Sequence, residues 1–179
     1  MKNQPTLQTD RLILRPFTLV DAEDVHRYVS DKAIAATTLR IPHPYEKGMA
    51  EAWINSRHES FQNNTEISFA IERKSDQQFL GTFSLLLELE HQRAAFGYYI
   101  GKPFWNNGYA TEAACRGLQY GFEELNLNRI YAVHFKHNPA SGRVMQKLGM
   151  KHEASLRQSI LKWSEFVDEE VYGILKNEF

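Results

Sequence analysis

The turn Trp105-Asn106-Asn107-Gly108 runs directly into Tyr109-Ala110-Thr111-Glu112-Ala113, and together they have the residue types of an anion seat. Asn and Gly accept the left-handed backbone of a tight turn. The first turn of a helix leaves N–H groups without intrahelical partners, and these groups, with the positive end of the helix dipole, hold phosphate. Asn106, Asn107, Gly108, Tyr109, Ala110 and Thr111 are therefore the first candidate binding residues. A second constellation is Asn138-Pro139-Ala140-Ser141, which reads as an N-cap, a proline at the first helical position and a first-turn hydroxyl. Such a hydroxyl can serve a leaving group, or be a plain helix-start serine.

The elements that must position these groups follow from periodicity. Thr9 to Pro16 alternates as an opening strand, and acidic Asp21, Glu23 and Asp24 favour a helix over residues 18–31. Ile41-Pro42-His43-Pro44 breaks the chain before a second helix from about Tyr45 to Asn63. Residues 66–72 and 79–90 read as antiparallel strands across the polar Lys74-Ser75-Asp76-Gln77 turn, followed by a strand from Arg93 to Ile100. Ala110, Ala114, Leu118, Phe122 and Leu125 mark one face of a helix over 109–125, and small Ala113, Gly117 and Gly121 let it lie close to a sheet. A strand over 129–135 precedes the Asn138 helix, which Gly149 and Met150 end as a left-handed cap. Two final strands, about 153–163 and 165–176, complete an α+β order with one strand–helix–strand unit at its centre.

The 179 residues suit a single domain, 1–179, with 42% apolar and 24% charged residues, which excludes disorder and coiled coil. A net charge of −1 gives no global attraction to nucleic acid or anionic membrane. No long apolar run or signal pattern is present, and one cysteine, Cys115, precludes an internal disulfide or thiolate cluster. Cys115 reads as a small packing residue in its helix. The seven histidines form no metal-binding pair on a helix face, so no metal is expected. A reducing cytoplasm is the economical location. Edge strands at the C-terminal end leave monomer and homodimer open.

Several motifs in register resemble one family. Thr9-Asp10-Arg11-Leu12-Ile13-Leu14-Arg15-Pro16, Gly97-Tyr98-Tyr99-Ile100, Trp105 through Ala113, Asn138-Pro139-Ala140-Ser141, Lys147-Leu148-Gly149-Met150, Val167-Asp168 and Tyr172 are similar to GNAT acetyltransferases of the ribosomal-protein N-terminal (alanine/serine) type. The resemblance spans nearly the whole chain. It implies a GNAT fold: a central mixed, mostly antiparallel twisted sheet of about seven strands, with helices on both faces and a strand-loop-helix pyrophosphate site. It also implies acetyl-CoA as donor and a primary amine, most simply a protein N-terminal α-amine, as acceptor. Polyamine or antibiotic acetylation, or a non-catalytic acyl-CoA sensor, are the alternatives.

The resemblance assigns roles to residues of this chain. The loop from Asn106 to Thr111 would take the pyrophosphate. Tyr99 and Ile100 would offer main-chain groups to the pantetheine and an N–H to the thioester carbonyl, and Asn138 and Ser141 would face the pantetheine arm and thiol. Relatives commonly read Trp-Gly-Lys-Gly in the loop, so a lysine is missing here. They often carry a glutamate where this chain has Ala95. An α-amine, with a pKa of about 8, needs less help than a lysine at about 10.4. With Ala95 silent, Glu88, Glu90, His91 or His134 would be the base, and a water path to a hairpin carboxylate is the first expectation. Ser141, Glu90 and Tyr99 are thus the catalytic candidates. Arg143 and Lys147 would meet the 3′-phosphate or form a solvated face.

Overall fold

The computed structural model describes residues 3–179. Its strands are β1 (Leu7–Gln8), β2 (Leu12–Arg15), β3 (Glu66–Arg73), β4 (Gln78–Glu88), β5 (Arg93–Ile100), β6 (Arg129–Phe135), β7 (Lys151–Lys162) and β8 (Glu165–Leu175). Its helices are α1 (Ala22–Val29), α2 (Lys32–Ala35), α3 (Met49–Gln62), α4 (Tyr109–Glu123) and α5 (Pro139–Lys147). All eight strands form one sheet in the order β1-β2-β3-β4-β5-β6-β8-β7. Seven match the expected strands. The extra one, β1, is a two-residue edge pairing Leu7 with Leu14 and Gln8 with Ile13, too short to show periodicity.

Alternation divides the core. Leu12, Leu14, Phe69, Ile71, Phe83, Leu85, Phe96, Ile130 and Ala132 face α4 and α5, while Phe17, Val25, Tyr28, Ala70, Phe79 and Tyr99 pack with α1 and α3 on the other face. Helix α4 rides close to the sheet because it carries glycine where β4 and β6 press against it. A Cβ on Gly117 would lie 2.1 Å from the Phe83 ring, and one on Gly121 2.7 Å from Ile130. Cys115 departs from expectation: it is exposed, one turn-step away from the buried Ala114, so it packs against nothing in the core. Gly149 (φ 79°) ends α5 as its sequence requires, with the Met150 N–H donating to the Met145 carbonyl at 3.1 Å.

Among the described residues one pair of neighbouring strands is parallel. β5 and β6 pair from Arg93 to Ala95 with Arg129 to Tyr131 and then part. The ladder on the far side of β5 stays complete, from Gly81↔Ile100 to Glu88↔Arg93. Beyond Ala95 the sheet is therefore split on one side of β5 alone.

An ion cluster around the buried Asp21 ties β2 and β3 to the start of α1. Arg15 donates to Asp21 through both terminal nitrogens, at 2.9 and 2.7 Å, and through Nε to Glu72 at 2.7 Å. Asp21 also accepts from the Thr18 N–H at 2.8 Å, closing a capping box. Asp21 is 4% exposed. Burial alone would raise its pKa, but the Arg15 bonds and the Thr18 N–H outweigh it and hold the carboxyl below its usual range. Because the folded pKa is depressed, the stabilisation is complete above the unfolded value of about 3.9 and is lost as pH falls through the folded value. Asp21→Asn should cost about 3 kcal/mol at pH 7, lowering the thermal midpoint by roughly 6–12 °C. Unfolding curves recorded from pH 7 down to pH 3 should show the gap between the two proteins constant above about pH 5 and narrowing as pH falls below the unfolded value.

Candidate active site

The split between β5 and β6 opens into a cavity of about 600 Å³ lined from both faces of the sheet. Ser141 and Met145 of α5 and His134 of β6 line it from one face; Glu66, Thr82, Ser84, Trp53 and Arg57 line it from the other. The floor between them is β5, where Gly97 and Ala95 supply almost no side chain. A Cβ on Gly97 would meet nothing within 4 Å.

Backbone alternation determines what β5 offers to this gap. The Gly101 N–H donates to the Leu80 carbonyl at 2.8 Å, so in the antiparallel register residues 99, 97 and 95 also turn their main-chain groups toward β4. Phe96, Tyr98 and Ile100 turn theirs into the split. The Ile100 carbonyl is already taken by the indole N–H of Trp105 at 2.6 Å, which leaves the Ile100 and Tyr98 N–H groups as donors turned into the split. Tyr99, expected to offer its main chain, instead pairs with Thr82. Its ring sits on the α1/α3 face, and its hydroxyl is fully enclosed without a hydrogen-bond partner. Desolvation pushes that phenol's pKa well up, so it remains protonated.

At the far end of β5 the turn has the geometry its residues implied. Asn106 (φ 63°) and Gly108 (φ 80°) are both left-handed, and α4 begins at Tyr109. Asn107 braces the turn by donating its side-chain N–H to the Phe104 and Trp105 carbonyls at 3.1 and 2.9 Å. Ala110 and Thr111 follow in the first helical turn. Although the loop has no lysine, a cation reaches it from elsewhere in the sequence. Arg11, in the turn between β1 and β2, donates to the Asn107 carbonyl at 3.1 Å and lies over the Tyr109 ring at 4.7 Å. Glu112 anchors it through the Arg11 N–H at 3.0 Å and Nε at 2.7 Å, and accepts from the Thr9 hydroxyl at 2.6 Å. Thr9 and Arg11 belong to the opening motif, but nothing in their spacing shows that they close onto a loop about a hundred positions later.

On α5, Ser141 accepts from the Asn138 side-chain N–H at 3.1 Å and lies 3.0 Å from the Tyr98 hydroxyl. Asn138 therefore orients Ser141 and makes no side-chain cap. Burial raises the Tyr98 phenol, with the Ser141 bond opposing, and Tyr98 rather than Tyr99 is the tyrosine on the α5 face. Beside this pair, His134 sits under α5, where a Cβ on Gly142 would come within 2.8 Å of its Nε2. Its Nδ1 contacts the Phe135 carbonyl at 2.8 Å. A carbonyl only accepts, so Nδ1 carries a proton. Its Nε2 is buried with no partner.

The hairpin carboxylates lie elsewhere. Glu90, 81% exposed, sits on a single 3-10 turn beyond β4, with His91 at 3.5 Å. It does not line the cavity. Glu88 is held by Arg93 at 2.6 Å and by the Tyr131 hydroxyl at 3.2 Å, the Arg93 bond lowering its pKa. The expected path to a hairpin carboxylate thus has no counterpart, because the hairpin lies at the closed, paired end of β5. Arg143 and Lys147 are exposed on α5. Among the described residues no cluster of His, Cys, Asp or Glu could hold a metal ion, and no helix is long and apolar enough to cross a membrane.

Comparison with known proteins agrees with this geometry. The acetyltransferase (GNAT) domain family matches residues 11–151. The uncharacterized N-acetyltransferase YoaA of Bacillus subtilis (strain 168) is 35% identical over 174 residues, 96% of this chain and 97% of the relative. A GNAT-family acetyltransferase from Bacillus anthracis superposes with a TM-score of 0.87 at 27% identity, covering 97% of this chain and 100% of that one. A spermidine N-acetyltransferase from Vibrio cholerae, solved with CoA and spermine, shares the fold at a TM-score of 0.82 and 22% identity, covering 95% and 98%. A sheet split beside a left-handed loop and a helix N-terminus is what a phosphorylated, amide-bearing thioester donor requires. The chain belongs to the GNAT family and is an acetyl-CoA-dependent N-acetyltransferase.

Proposed function

We propose that the acceptor is the α-amine of a peptide or protein N-terminus. The observation that carries this reading is the charge balance of the acceptor half of the cavity. Of its two carboxylates, Glu66 is bonded to Arg57 at 2.5 Å, and Glu169 and Arg40 also line the space, so the carboxylates are matched by two arginines. Around them the walls are apolar: Val25, Val29, Ile41, Met49, Trp53 and Leu86. A polyamine carries several positive charges and is best held by an excess of carboxylates. A peptide N-terminus brings one amine, which is partly neutral near pH 7, followed by carbonyls that the two arginines can satisfy.

In this reading acetyl-CoA lies along the split. The N–H groups at Asn106 to Thr111 take its pyrophosphate, and Tyr98 and Ile100 N–H groups meet the pantetheine end. Ser141, oriented by Asn138 and backed by Tyr98, stands ready to hydrogen-bond the departing thiolate. The donor supplies the activated acetyl group; the chain aligns it, keeps water out and handles protons on either side. The reducing cytoplasm, where acetyl-CoA and nascent N-termini meet, is the setting this reaction fits.

Three measurements check these assignments. Gly108→Val places a β-branched residue at φ 80° and should weaken acetyl-CoA binding at least about tenfold; an unchanged dissociation constant in a folded variant removes the loop from the site. Ser141→Ala and Tyr98→Phe should each lower kcat by about tenfold or more with little change in coenzyme affinity. Thiol release at pH 7.5 should favour peptides beginning with Ala or Ser over spermidine by at least about tenfold in kcat/KM, and their N-acetylated forms should be inert. A preference for spermidine overturns the acceptor assignment.

A further inference from the structure

No carboxylate stands on β5, yet an ordered chain of side chains leads from its floor to a carboxylate two strands away. Ser84 on β4 is paired across the ladder with Gly97 on β5, so its side chain rises on the face that Gly97 leaves open. Ser84 Oγ lies 2.7 Å from Ser68 Oγ on β3. Ser68 Oγ in turn donates to Glu66 Oε1 at 2.8 Å. Both serines are buried, at 7% and 2% exposure, and Ser84 and Glu66 line the cavity while Ser68 bridges them. Register explains the alignment: Ser68↔Ser84↔Gly97 and Glu66↔Leu86↔Ala95 are consecutive same-face rows across three strands.

The direction of the bonds is fixed at one end. Glu66 as a carboxylate can only accept, so Ser68 gives it its proton, and Ser68 Oγ must then accept from Ser84. That leaves Ser84 Oγ with its lone pairs toward the cavity, ready to accept from an N–H there. Burying two hydroxyls and a carboxylate is costly unless each bond is made, and here the chain is complete.

We propose that Ser84, Ser68 and Glu66 form a proton relay that takes the proton from the acceptor amine, replacing the β5 carboxylate that this chain lacks at Ala95. The proposal rests on the site being an amine acetyltransferase and is independent of which amine is used. As the amine nitrogen bonds to the thioester carbonyl carbon and the C–S bond breaks, one N–H proton passes to Ser84 Oγ. Ser84 passes its own proton to Ser68, and Ser68 passes its own to Glu66. The sulfur, leaving with the C–S electron pair, receives its proton on the opposite face, where Ser141 and Tyr98 stand. The proton on Glu66 returns to solvent at the cavity mouth, and no other reactant is needed. Arg57 is a positioning residue: it holds Glu66 in reach of Ser68.

The other charged and titratable groups lining the same cavity are Arg40 and Tyr45 from the loop, Arg57 from α3, Tyr98 and Tyr99 from β5, Glu169 from β8 and His134 from β6. His134 is the rival proton acceptor, so it belongs in the test. Wild type, Ser84→Ala, Ser68→Ala, Glu66→Gln, the Ser84→Ala/Glu66→Gln double variant and His134→Gln are compared with one fixed amine at saturating acetyl-CoA. Coenzyme affinity and thermal unfolding are measured beside kcat/KM from pH 6 to 10.

The relay predicts a fall of about tenfold to a hundredfold in kcat/KM near neutral pH for each relay variant. The alkaline rise should shift to higher pH, coenzyme affinity should hold, and the double variant should be no worse than the poorer single one. Ser84→Ala leaves the Arg57–Glu66 pair intact, so its result stands even if Glu66→Gln unfolds. Unchanged kcat/KM and pH profile in a folded Ser84→Ala overturns the relay, as does a profile that moves only with His134→Gln. No turnover by wild type on any amine overturns the enzymatic reading instead, and so is distinguishable.

Discussion

The parting of β5 and β6 after Ala95 is the constraint on which the rest of the molecule depends. Ending a parallel ladder after three residues leaves main-chain N–H and C=O groups of β5 without sheet partners inside the protein, and such groups are costly unless something satisfies them. The protein limits the cost in two ways. Trp105 reaches back to cap the Ile100 carbonyl, and the remaining groups face a cavity in which an extended, amide-bearing chain can complete the interrupted ladder. The split also connects the two faces of the sheet. In the proposed function, a donor on the α4/α5 face and an acceptor on the α1/α3 face meet there.

Support on each side of the gap keeps it from closing. β5 stays fully paired with β4, and α4 is pulled against β4 and β6 by Gly117 and Gly121. β6 is held on its other side by β8, from Arg129↔Leu175 to Phe135↔Glu169, and α5 crosses above it with Gly142 against His134. The two halves are thus rigid for separate reasons. A rigid gap favours chemistry, because aligned reactants lose little further freedom in reaching the transition state.

Much of this was legible in the residues. The left-handed loop, the helix after it, the Asn138 to Ser141 turn and the Gly149 cap are local features, and each follows from the backbone preferences of a few neighbours. Seven of the eight strands were legible from alternation or from the turns that bound them. What escaped was set by register and by long-range closure. Which tyrosine faces α5 depends on the phase of β5 against β4. That Arg11 supplies the loop with a cation depends on the β1–β2 turn folding onto α4. The row Glu66, Ser68, Ser84 and Gly97 comes from three strands and becomes a row only when they are laid side by side. The hairpin carboxylates were attractive in sequence because they are near β5 along the chain, but in space they cap its closed end.

The tip of the last hairpin reaches further than its place at the sheet edge suggests. Lys162 donates to the Leu39 and Ile41 carbonyls at 3.3 and 3.2 Å, and desolvation lowers its pKa. Through it, the segment that roofs the proposed acceptor space is fastened to β7, while the proposed donor seat around Gly108 is fastened to the first strands through Arg11 and Glu112. The two halves of the proposed binding site therefore hang from opposite ends of the polypeptide. Changes at the hairpin tip can reshape what the enzyme accepts while the seat for its donor is left undisturbed, which gives one coenzyme platform a way to acquire new clients.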